Sequence, residues 1–93
     1  MEFEWDSRKA TKNLQKHKIS FTEAATVFDD PLSITVADPD HSNMEDRFLI
    51  VGQSHHPRML IVSFTERGNR IRIISARELT RAEKRAYEEE LFK

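Results

Sequence analysis

Arg70, Ile71, Arg72 and Ile73 alternate cationic and branched apolar side chains, and Arg77 follows five positions after Arg72. On a strand, successive side chains take opposite faces, so Ile71 and Ile73 can enter a core while Arg70 and Arg72 project together from the other side. A guanidinium keeps its charge at any physiological pH and donates in pairs, which suits phosphate oxygens. The chemistry this predicts is contact with a nucleic-acid phosphate, with Arg72 and Arg77 as first stabilisers and Arg70 next. An odd spacing sends Arg77 to the face opposite Arg72 unless the chain turns after Ser75. The structural alternative for Arg77 is an ion pair or a cap on a helix end.

A second group lies near the start of the chain. Asn13 and His17 are four apart and share one face of a predicted helix, with Lys9 nearby. A histidine can take or give a proton near neutral pH, so His17 is a candidate general base or acid, or else a cation favoured by the helix C-terminus. Lys9, Lys12 and Lys16 can hold nucleic-acid phosphates or solvate the helix, and solvation suits Lys12. Arg47 completes the basic set or pairs with Glu45 or Asp46.

Glu83 and Tyr87 are also four apart. Glu83 can orient the phenol or hold an arginine of the preceding strand, and it also occupies the capping-box position relative to Thr80. Tyr87 can supply a proton, stack on a base or join the core; Trp5 is a core candidate. His55 and His56 are adjacent and, like His41, lack metal-ligand spacing, so neither a metal nor a cofactor is assigned. No glycine-rich phosphate loop and no Gly-x-Ser-x-Gly elbow is present, which removes nucleotide-hydrolase and serine-hydrolase readings.

These residues must be positioned by few elements. A chain of 93 residues makes one small domain, here taken as 1–93, with a modest core. Phe3 to Trp5 reads as a short strand, and Asp6 caps a helix running to about His17 whose thin apolar stripe is mainly Ala10 and Leu14. Ser20 to Glu23 is a capping box for a second helix, whose buried face is Phe21, Ala24, Ala25, Val27 and Phe28 and which ends at Asp29-Asp30-Pro31. Leu32 to Ala37 has strand composition, and Asp38 to Asp46 is a polar loop. Strands at Phe48 to Gly52, Met59 to Phe64 and from Arg70 have short connections, which favours an antiparallel meander. Thr80 to Glu83 opens a last helix that reaches about Leu91. The predicted class is α+β, in the order β-α-α-β-β-β-β-α, with helices packed on one side of an antiparallel sheet.

Net charge is −1, which argues against bulk electrostatic coating of nucleic acid, but the distribution is uneven. Arg8 to Lys18 holds five cations and no acid, Glu23 to Asp46 holds seven acids and no lysine or arginine, and Arg58 to Arg85 is again basic. Folding can merge the two basic ends into one patch, or leave the charges scattered over a solvated surface. Without cysteine there is no disulfide framework, no apolar run reaches the length of a membrane span and no signal-peptide pattern opens the chain, so the expected location is cytoplasmic.

The spaced blocks Phe3-Glu4-Trp5-Asp6, Lys9, Asn13, Lys16-His17, Ser20-Phe21, Glu23-Ala24 and Val27 to Pro31, with Arg72 to Arg77 and then Glu83 and Tyr87, resemble the BrnT family of bacterial toxins over nearly the whole chain. Members of that family look like RelE-type ribonucleases in fold, and each is paired with a BrnA antitoxin carrying a ribbon-helix-helix DNA-binding portion. The resemblance implies an RNA-cleaving toxin that blocks translation, is held inactive by its partner and meets operator DNA only through that partner. RNA cleavage without a metal needs a base for the 2′-hydroxyl proton, cations for the scissile phosphate and an acid near the leaving oxygen. Arg72, Arg77, His17, Arg70 and Tyr87 are the catalytic candidates, and Lys9, Asn13, Lys16 and Arg47 the RNA-binding ones. The alternatives the residues leave open are a non-enzymatic module that co-represses transcription with a DNA-binding partner, and a toxin that has lost activity.

Overall fold

The computed structural model describes residues 1–38 and 46–91, so most of the expected polar loop lies outside the described residues. The elements are β1 (Glu2–Glu4), α1 (Ser7–His17), α2 (Phe21–Thr26) continued by a 3₁₀ turn at Val27–Asp29, β2 (Ile34–Ala37), β3 (Arg47–Gln53), β4 (Met59–Arg67), β5 (Arg70–Glu78) and α3 (Arg81–Leu91). Class and element order are those expected. One sheet runs β1-β5-β4-β3-β2. The meander from β2 to β5 is antiparallel, and β1 joins β5 in parallel at the edge, so the sheet is mixed.

Local chemistry explains the boundaries. Asp6 accepts from the amides of Arg8 at 2.8 Å and Lys9 at 3.2 Å, two of the free donors of the first turn of α1. These bonds hold the Asp6 carboxyl below its ordinary range. Gly68, at φ 59°, is the first of the two residues linking β4 to β5, where a II′ hairpin calls for glycine.

The core sits between the sheet and the first two helices. Ile19, Phe21, Ala24 and Val27 meet Ile50, Leu60, Val62, Phe64, Ile73 and Ala76, all buried. Burying each large member contributes about 1.5–3 kcal/mol. Phe28 stands edge-on to Phe64 at 5.0 Å, and Trp5 edge-on to Phe21 at 5.9 Å, which places Trp5 in its expected packing role. The thin stripe expected on α1 is corrected in one position: Ala10 packs against the core, Leu14 is 49% exposed, and Asn13 is buried in its place. The inward stripe of α1 is therefore Ala10, Asn13 and His17.

The capping box of α2 is half realised. Ser20 Oγ accepts from the Glu23 amide at 3.0 Å, but the Glu23 carboxylate turns away to Arg58 and to Ser54, whose hydroxyl donates at 2.7 Å. Burial pushes the Glu23 carboxyl up, and the Arg58 and Ser54 hydrogen bonds outweigh it, leaving the group below its ordinary range. The network pins the β3–β4 turn to α2, leaving the opposite face of the sheet as the surface on which the chemistry-bearing side chains gather.

Candidate functional site

Strand register arranges that face in rows. Arg47, Thr65, Arg72 and Glu4 are neighbours across β3, β4, β5 and β1. The next row is Val36, Leu49, Ser63 and Ser75, and the third is Ile34, Val51, Ile61 and Arg77. Directly opposed residues share a face. The rows therefore put Arg77 on the same side as Arg72, against the regular alternation expected from sequence. The cause is a β-bulge: Ser63 pairs with Ser75 and Phe64 with Ile73, so Ile74 is an extra residue that shifts the phase of β5. Core residues show the same shift, since Ile73 and Ala76, three apart, both point inward.

His17 reaches this face around the edge of the sheet. β1 pairs only with Arg70 to Arg72, leaving the rest of the β5 edge open. Asn13 fills the gap: its Oδ1 accepts from the Ala76 amide at 3.0 Å and its Nδ2 donates to the Ala76 carbonyl at 2.8 Å and the Ile19 carbonyl at 2.9 Å. A side-chain amide here continues the ladder that a longer β1 would have made. Asn13, expected among RNA contacts, is thus 6% exposed, with its amide engaged by backbone. Its place is to hold the last turn of α1, with Lys16 and His17, against β5.

Lys16, His17, Asp38, Arg47, Leu49, Ser63, Ser75 and Arg77 line one cavity of about 520 Å³, together with Ile61, Ile74 and Ala76. Four of the residues singled out in the sequence meet here. Arg47 makes no ion pair with any described residue. Arg77 is held by Glu83 through two parallel bonds, Nη1 to Oε1 at 2.8 Å and Nη2 to Oε2 at 3.0 Å. Glu83 also accepts from the Thr80 amide at 2.8 Å, and Thr80 Oγ1 accepts from the Glu83 amide at 3.2 Å, so both roles foreseen for Glu83 are combined. The Arg77 guanidinium, then the Thr80 amide, draw the Glu83 carboxyl down to about 2, and the same contact holds Arg77 above its usual range.

The other expected residues stand apart. Arg72 donates to Glu4 at 2.8 Å, and Arg70 to Glu2 at 3.2 Å, in the register Glu2 to Arg70 and Glu4 to Arg72 that seats β1. The Arg72 hydrogen bond lowers the Glu4 carboxyl below its ordinary range. Arg72 belongs to the first row of the same face, two strands and ~10 Å from Arg47, but it does not line the cavity. Lys9 is exposed on α1. The Tyr87 hydroxyl donates to the Leu32 carbonyl at 2.8 Å, and the ring lines a different cavity; burial, then the Asp30 charge, push its hydroxyl above the ordinary range. Ser63, Ser75 and Asp38 were missed in the sequence, where nothing marks an exposed serine on a strand. Among the described residues no cluster of three or more histidine, aspartate or glutamate side chains is placed to hold a metal, and no helix is long and apolar enough to cross a membrane.

The family model described as "Ribonuclease toxin, BrnT, of type II toxin-antitoxin system" matches residues 5–83, a span that contains every residue named in the cavity. The crystal structure of the Brucella abortus ribonuclease toxin BrnT is similar to this fold with a TM-score of 0.64 at 20% sequence identity, over 87% of this chain and 99% of that one. Comparison with curated protein sequences found no significant match.

Proposed function

The chain belongs to the BrnT family of ribonuclease toxins of type II toxin-antitoxin systems, and on that premise we propose that it is an endoribonuclease whose cleavage site is the cavity of His17, Lys16, Arg47 and Arg77. The observation that carries this reading is the convergence of a proton carrier and three cations from α1, β3 and β5 in one cavity within the matched span. His17 takes the proton of a ribose 2′-hydroxyl. The 2′-oxygen then bonds to phosphorus, and charge growing on the phosphate oxygens is met by Arg47 and Arg77. The phosphorus–O5′ bond breaks, the departing oxygen is protonated from Lys16 or solvent, and the products are a 2′,3′-cyclic phosphate and a free 5′-hydroxyl. No step of this scheme calls for a metal.

Asn13 acts by fixing the turn that carries Lys16 and His17, and Glu83 by fixing the Arg77 fork. Lys9 on the exposed side of α1 extends the cationic surface along which flanking phosphates run, while Arg72 and Arg70 are taken up by Glu4 and Glu2. Tyr87 is left out of the chemistry, because its hydroxyl is engaged by Leu32 and its ring lies in another cavity. Cleavage of cellular RNA blocks translation, and an antitoxin of the BrnA type, with a ribbon-helix-helix portion for operator DNA, restrains it in the cytoplasm.

Induction of this chain alone in a bacterial host, with total RNA examined, tests the reading. Growth arrest with RNA fragments ending in 2′,3′-cyclic phosphate is the expected result. Normal growth and intact RNA in cells holding folded protein overturns it and favours a non-enzymatic co-repressor or an inactive toxin.

A further inference from the structure

A second cavity, of about 460 Å³, adjoins the first and has the opposite character. Ile34, Val36, Val51 and Ile61 of the sheet face Ala86 and Tyr87 of α3 across it, and Glu83 and Glu90 of α3 also line it. Ile61 lines both cavities, and Val36 of the apolar one pairs across strands with Leu49 of the basic one. The two form a single trough, cationic at the β5 and α1 end and apolar at the β2 and α3 end. Val36 is 49% exposed and nearby Leu32 is 59% exposed, so apolar area at this end is open to water, in a place where RNA phosphates and sugars offer nothing to cover it.

We propose that this trough is the seat of the antitoxin, an inference that rests on the function proposed above. Its occupant is one segment of that partner, with apolar side chains over Val36, Val51 and Ala86 and carboxylates reaching Arg47 and Lys16. Charge sets the direction, because Lys16 and Arg47 attract an acid at the cationic end, whereas at the α3 end Glu83 is already paired with Arg77. One segment thus takes up exposed apolar surface and covers His17 in the same act.

The test uses the full chain and the protein encoded by the gene adjoining it, with Val36→Glu as the variant; Val36 lies outside the catalytic cavity. Expected are an RNA cleavage rate equal to wild type and a dissociation constant from that protein raised about tenfold or more. If Val36→Glu fails to fold, Ala86→Glu on the facing helix serves, with the same expectation. Wild-type affinity in a folded variant overturns the proposal, and so does loss of self-association with affinity for the neighbouring protein unchanged. A wild-type chain that binds this protein yet cleaves no RNA overturns the nuclease reading alone, because the affinity ratio between wild type and variant is measured independently of cleavage.

Discussion

Arg72 and Arg77 occupy one face of β5 although five positions separate them, because Ile74 bulges opposite the step from Ser63 to Phe64. The bulge delivers the Arg77 fork to the cavity that His17 enters from the sheet edge. Replacing Arg77 by alanine is expected to lower RNA cleavage by about 10². Arg77→Lys should recover only part of this, since an ammonium lacks the planar fork that makes two parallel bonds to Glu83 and keeps further donors for phosphate. Initial rates on a short RNA check both, and full recovery by lysine would show that charge alone suffices.

Glu83 makes the acid limit of the fold predictable. Its folded value, about 2, lies below the ordinary 4.5, so the group favours the folded state at pH above 4.5 and loses that contribution as pH falls from 4.5 toward 2. The carboxylate is partly exposed, which reduces its worth to the order of 1 kcal/mol. Glu83→Gln should therefore melt about 4 to 8 °C below wild type at pH 7. The two melting curves should converge near pH 2; a gap of equal size there would assign the effect to packing rather than charge.

Asn13→Ala removes three hydrogen bonds at a buried position and leaves the Ala76 amide and carbonyl unpaired. A loss of about 2–4 kcal/mol is expected from urea unfolding. Asn13→Asp, of the same shape, should cost nearly as much, because a carboxylate cannot donate to the Ile19 and Ala76 carbonyls. An aspartate variant as stable as wild type would show that shape, and not donation, sets this position.

Gly52 is required by close approach. A Cβ there would stand 2.9 Å from Asp30 Oδ2 and 3.0 Å from Ser33 Cβ. Asp30 cannot simply swing away, since its carboxylate accepts from the amides of Gln53 at 2.7 Å and Leu32 at 2.9 Å. Gly52→Ala should destabilise by about 1–3 kcal/mol, read as a lowered urea midpoint.

Local signals carried most of the fold. The capping residues Asp6, Ser20 and Thr80, the turn at Gly68 and the alternation in β4 are short-range chemistry, and each element follows from it. Three features depended on distant parts of the chain. The parallel seat of β1 rests on Glu2 and Glu4 facing Arg70 and Arg72, a spacing of two in both segments that was visible but had no partner assigned. Asn13 turned inward because the β5 edge is open beyond Arg72, which nothing in α1 announces. The bulge at Ile74 has no sequence marker, so the face of Arg77 was legible only from the register. For the same reason the arginines of the alternating run were ranked above Arg47, although ion pairs to β1 occupy them.

The most direct test is single-turnover cleavage of one RNA by purified wild type, His17→Ala, Arg47→Ala and Arg72→Ala, with a melting temperature for each. If the cavity is the cleavage site, His17→Ala and Arg47→Ala lose about 10² to 10³ in rate at unchanged melting temperature. Arg72→Ala then melts lower, having lost its bond to Glu4, and keeps its rate within about tenfold. Wild-type cleavage by His17→Ala and Arg47→Ala, with activity abolished in a folded Arg72→Ala, would contradict the assignment and move the chemistry to the β1 edge of the sheet.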